Sequence, residues 1–182
     1  MSNKKINDMI KKDKVCILIS DGGLFGDEEA KKSIKNLLDM IPAEDLENVK
    51  IVRPQGGYSD FDGFRRLFFA QFVYDNLFET KAIYVDNLVY CSTDEVEQKI
   101  FVALMSLFGI EVYEEYETSA LEPDQAYRGE IAKVFRESPD VPDCILEASR
   151  EELDIVRYIA VIVLQDMWQE YRFVENKEEE SE

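Results

Sequence analysis

The side chains best placed to do chemistry in this chain are a serine and several carboxylates that close apolar runs. Ser20 and Asp21 follow Cys16-Ile17-Leu18-Ile19, Asp86 follows Ile83-Tyr84-Val85, and Asp60, Glu114 and Glu115 stand in the segments after two further runs. A strand that ends in a carboxylate offers it at a sheet edge, and parallel-sheet proteins hold ligands at the carboxyl edge. Two or three carboxylates converging there would hold Mg²⁺ and polarise a phosphoryl group. That is the chemistry of a metal-dependent phosphohydrolase or nuclease, with Asp21, Asp60, Asp86, Glu114 and Glu115 as the donor set. The same serine and aspartates also read as turn and cap residues with no chemistry, since the chain's 39 acidic residues put some carboxylates at that edge by chance.

Other chemistries are excluded by composition. The chain has no histidine, so Ser-His-Asp and Cys-His catalysis and His-containing zinc sites are ruled out. Asp21-Gly22-Gly23-Leu24-Phe25-Gly26 lacks the Gly-x-Gly-x-x-Gly spacing, and no Gly-Lys-Ser/Thr occurs, so no nucleotide cofactor is expected. No cofactor is expected at all, except Mg²⁺ if the carboxylates act together.

These residues need a scaffold, and the hydrophobic pattern supplies one. Residues 14–20 form a short β-branched run that stops at Asp-Gly-Gly, which predicts a buried first strand. Asp27 is expected to cap a helix carrying Ile34, Leu37, Leu38 and Ile41, ended by Pro42. Residues 49–52 predict a second strand and 81–85 a third, with a helix between them carrying Phe64, Leu67, Phe68, Phe72 and Leu77. Ser92-Thr93-Asp94-Glu95 has capping-box spacing and precedes Val96, Ile100, Leu104, Leu107 and Phe108, with Gly109 as the stop. Residues 110–113 predict a fourth strand. Helix is expected over 124–138 and about 145–174, although the β-branched residues Ile159, Val161, Ile162 and Val163 leave a strand open in the second of these. Alternation of strand and helix predicts a single α/β domain. Its sheet is mostly parallel, with four or five strands and helices on both faces, plus a long C-terminal helix.

The order of elements and three short motifs resemble the catalytic domain of serine recombinases, the resolvase and invertase family, over roughly 14–117. In that family the first strand ends in a Tyr-x-Arg-Val-Ser type motif, which stands here as Cys16-Ile17-Leu18-Ile19-Ser20. The family's Asp-Arg-x-Gly-Leu motif corresponds to Asp60-Phe61-Asp62-Gly63-Phe64, and its Leu-Asp-Arg-Leu-x-Arg motif to Val85-Asp86-Asn87-Leu88-Val89-Tyr90. The resemblance implies a nucleophile position at Ser20 and an acidic partner at Asp86. Leu18, Phe61, Asn87 and Tyr90 occupy positions where the family has arginine. Serine attack on a phosphodiester builds negative charge on the phosphoryl oxygens, and guanidinium groups stabilise it; losing one such donor removes about 10²–10³ in rate. The resemblance therefore implies a catalytically inactive relative. Its long helix, 145–174 here, would be the dimer interface.

Composition limits the partners. Lysine and arginine number 21 against 39 acidic residues, a formal charge of −18, so a nucleic acid would meet net repulsion and no direct binding is expected. The family's basic DNA-binding region is replaced by an acidic end. A protein partner or a homodimer is expected instead. A third reading makes the acidity itself functional, as a DNA mimic that occupies the basic channel of a nucleic-acid enzyme. Three cysteines, Cys16, Cys91 and Cys144, suggest reduced thiols, and no membrane span or signal pattern is seen, so a cytoplasmic location is expected. The organisation expected is a flexible basic segment over 1–13, a single α/β domain over 14–174 with a mainly helical extension from 124, and an acidic disordered tail over 175–182.

Overall fold

The computed structural model describes residues 12–19, 26–52, 62–92, 94–142 and 148–179. Its elements are β1 (Lys14–Leu18), α1 (Gly26–Met40), a 3₁₀ turn (Ala43–Asn48), β2 (Val49–Val52), α2 (Asp62–Asn76), β3 (Thr80–Val85), the single-turn α3 (Leu88–Cys91), α4 (Glu95–Leu107), β4 (Glu111–Glu114), α5 (Gln125–Glu137) and α6 (Arg150–Glu179). The sheet is four-stranded in the order β2-β1-β3-β4, and every pairing is parallel. The chain runs outward from β1 to β2, then returns across β1 to β3, so the order reverses between β1 and β3.

The two faces of the sheet are covered unequally. Val15, Ile17, Ile19, Ala82 and Tyr84 pack with Leu37 and Ile41 beneath α1. The opposite residues Cys16, Leu18, Ile83, Val85 and Val112 belong to a larger core that α2, α4, α5 and α6 build together. This alternation follows from the two-residue period of a strand. α4 is buried over most of its circumference, from Val96 to Met105, because the sheet, α5 and α6 surround it. Phe101 on α4 stacks on Phe69 of α2 with ring centroids 4.1 Å apart.

α6 resolves the ambiguity of its β-branched run. Leu153, Val156, Ala160, Val163, Leu164 and Met167 recur at steps of three and four and are all buried. A strand would send alternate residues to opposite sides and strand half of this stripe in water. Each large side chain so buried contributes roughly 1.5–3 kcal/mol, which outweighs a few tenths of intrinsic preference. The helix is 30 residues long and continues to Glu179, past the expected limit near Val174 and into the stretch expected to be a disordered tail.

Several local expectations are corrected. α1 already begins at Gly26, so Asp27 lies in its first turn and is not its cap. α4 is capped by Asp94, whose carboxylate accepts from the amides of Val96 and Glu97 at 3.0 and 3.2 Å. Ser92 caps α3 at its C-terminus instead, and its hydroxyl donates to the buried carboxylate of Glu97. β4 is shifted by one residue, because Ile110 turns inward after Gly109, which takes a left-handed φ of 65°. Lys12, expected in a flexible segment, donates its ammonium to the Phe108 carbonyl at the end of α4. Asp124 caps α5 and Ser138 closes it, so the helix itself is one residue shorter at each end than the expected 124–138.

Candidate functional site

The strand order reverses between β1 and β3, and parallel sheets hold ligands at the carboxyl edge beside such a reversal, so the candidate residues are sought there. Leu18 pairs with Val85, and Val85 with Glu114, so the ends of β1, β3 and β4 are level. The segments that follow them carry most of the residues singled out by the sequence. Asp86 leaves β3, and Glu114 and Glu115 leave β4. Ser20, Asp21, Asp60 and Phe61 lie outside the described residues.

Asp86 and Asn87 organise the backbone. The Asp86 carboxylate accepts from the Asn87 amide at 2.8 Å, and the Asn87 side chain accepts from the Val89 amide at 2.8 Å, which caps α3. These are the turn and cap roles available to short polar side chains. Burial, together with the charges of Glu115 and Glu114, holds the Asp86 carboxyl above its ordinary range despite the hydrogen bonds from the amides of Asn87 and Asp86. Leu18 is fully buried in the core beneath this edge. Tyr90 lies in α3.

The two glutamates are held by neutral donors. Glu114 accepts from the Leu88 amide at 2.8 Å and so fixes the start of α3 against β4. Glu115 accepts from the Ser33 hydroxyl and the Asn36 amide, both at 2.6 Å, and these tie the β4 end to α1. Its own amide continues the ladder by donating to the Val85 carbonyl at 2.8 Å. Burial works against its charge, but hydrogen bonds from Ser33, Tyr116 and Asn36 outweigh it and keep the carboxyl below its ordinary range. Tyr116 adopts a left-handed φ of 71°, unusual for a bulky residue, and its hydroxyl accepts from Asn36 at 2.9 Å. Ser33, Asn36 and Tyr116 carried no signal in the sequence: they are ordinary surface residues until the fold places α1 beside the end of β4.

The arrangement offers a phosphate little. Among the described residues, the charges acting on Asp86 come from Glu115 and Glu114, and the donors to both glutamates are uncharged, with Lys32 adding a favourable charge at Glu115. Among the described residues no three cysteine, aspartate or glutamate side chains gather as a metal-binding set. Among these residues Glu115 engages both oxygens, with the Ser33 hydroxyl and the Asn36 amide, while Glu114 engages one oxygen with the Leu88 amide and keeps the other open.

Beside this edge is an open groove of about 370 Å³. Leu88, Val102 and Leu121 supply its apolar wall, and Glu95, Gln98, Lys99, Glu114, Glu122 and Asp124 surround them. Leu121 is held there by its amide, which donates to the Val112 carbonyl on the outer side of β4 at 2.7 Å. Cys91, behind α3, is completely buried, and burial pushes its thiol well above the ordinary range. Among the described residues no helix is long and apolar enough to cross a membrane. Comparison of the chain with protein families, with curated proteins and with solved structures yields no match.

Proposed function

We propose that the protein is a catalytically inactive, resolvase-like domain that works through protein contacts. The observation that carries this reading is the electrostatics of the carboxyl edge at Asp86. A serine recombinase needs cations around its nucleophile to hold the scissile phosphate, whereas among the described residues Asp86 meets burial and the negative charges of Glu115 and Glu114. Two of the positions that correspond to family arginines are committed to structure, Leu18 to the core and Asn87 to capping α3. The doubly wound order and the net charge of −18 agree with a scaffold that no longer engages DNA.

The contact surface of α6 differs from a simple dimer helix. Its apolar stripe packs into its own chain as far as Met167, so a homodimer through this helix would use its outer side, where Ile155 and Tyr158 are exposed, or its final turns.

The test is incubation of the purified protein with supercoiled DNA carrying candidate recombination sites, followed by denaturing analysis for nicked or protein-linked strands. Neither species is expected. An adduct that disappears in Ser20→Ala overturns the reading. Calorimetry with Mg²⁺ and Mn²⁺ supplies the other arm: binding that is lost in both Asp21→Asn and Asp86→Asn moves the protein to the metal-dependent phosphohydrolase class.

A further inference from the structure

We infer that the groove between α3, α4 and the loop before α5 is a docking site for a lysine- or arginine-bearing peptide segment of a partner protein. This deepens the proposed protein-contact function and rests on it. The groove combines two features that suit one kind of side chain. Its wall is aliphatic, with Leu88 and Val102 buried at its floor and Leu121 half-buried, and its margin is acidic. Lys99 is the one cation among the lining residues and is paired with Glu95 at 2.7 Å, so with Glu114, Glu122 and Asp124 the margin is net acidic. Lysine and arginine carry an apolar stem beneath a charged head, so the stem can lie along the leucines and valine while the head meets the carboxylates.

Two of those carboxylates are fixed before any ligand arrives. Glu114 is oriented by the Leu88 amide, and Asp124 is held as the cap of α5 by the amides of Ala126 and Tyr127. A carboxylate has about four acceptor positions, so each keeps capacity for an incoming ammonium or guanidinium. Because their rotamers are already set, little further side-chain ordering opposes binding. The volume of about 370 Å³ suits a few side chains of an extended segment and not a folded domain. A phosphate or an acidic segment is repelled by the same margin.

The experiment uses the full chain and a fluorescent peptide of alternating lysine and leucine, followed by anisotropy. Saturable binding is expected, weakened at least ~10-fold by Glu122→Lys, a change of about 1.4 kcal/mol. The control is Glu137→Lys, at the far exposed end of α5, which alters net charge equally and should leave affinity within about two-fold. Equal weakening by both substitutions would mean diffuse attraction to an acidic surface and overturns the proposal, as does failure of the parent chain to bind. A several-fold gain in affinity on deleting residues 1–11 would assign the groove to the chain's own basic N-terminus, and overturns the partner assignment. Peptide binding that persists alongside Ser20-dependent DNA cleavage would remove the inactive-recombinase reading and leave the groove standing.

Discussion

Asp86 and Glu115 leave neighbouring strands, yet their surroundings push their carboxyls in opposite directions, and this difference can be measured. Asp86 is raised, so its folded form holds a proton more readily than the unfolded chain. Its ionisation therefore weakens the fold as pH climbs from the ordinary value of 3.8 through the raised one. Asp86→Asn should be more stable than the parent at pH 7, with the gap closing in acid, because the asparagine oxygen still accepts from the Asn87 amide. Glu115 is lowered, so its stabilisation is complete above its ordinary value of 4.5 and is lost as pH falls through the depressed one. Glu115→Gln should be destabilised at pH 7, and that difference should fade in acid. Urea unfolding of both variants at pH 7 and near pH 3.5 checks the signs. A third residue-scale test concerns caps: Asp94→Ala removes the acceptor for two amides of α4 and should lower stability by about 1 kcal/mol. At this scale the sequence marked Asp86 and Glu114 correctly as residues of one edge. The bond from the Asn87 amide to Asp86 is local and belongs to its reading as a turn residue, but the sequence could not show that Glu114 would take the Leu88 amide, because that bond depends on the height at which β3 and β4 end.

Among the elements, α6 distinguishes a chain that is complete in itself from one that needs a copy to cover its long helix. Ala160 is fully buried between α6 and the rest of the core. Ala160→Leu should overpack that contact and lower stability by about 1–3 kcal/mol, independently of protein concentration. If the stripe were a dimer interface, the same substitution would shift the association equilibrium, and unfolding would depend on concentration. Analytical ultracentrifugation alongside thermal melts separates these outcomes. Most elements were legible because their signals are local: the β-branched runs of β1 and β2, the Pro42 and Gly109 stops, and the three-four spacing on α4. The errors were local too. The true cap of α4, Asp94, was hidden because it could be read as the interior of a capping box that began at Ser92. Ile110 read as strand because burial after Gly109 mimics the apolar start of β4. The reversal of strand order was not legible, since order is set by packing of helices across the sheet.

For the molecule as a whole, charge is the dominant property. A net charge of −18 on a compact chain opposes folding through self-repulsion, so added salt should stabilise the protein. The melting temperature should rise between about 0.01 M and about 0.15 M ionic strength, as the Debye length shrinks from ~30 Å to ~8 Å. The same charge bears on the proposal that the carboxyl edge, acidic among its described residues, does not hold a phosphate. Its most direct measurement is the affinity of the protein for duplex DNA as a function of salt, read by fluorescence anisotropy. No saturable binding is expected even near ~0.01 M ionic strength, where phosphate contacts are strongest. Saturable binding with an affinity that falls steeply and linearly on a log-log plot against salt would contradict it, because such a slope counts cations seated on phosphates.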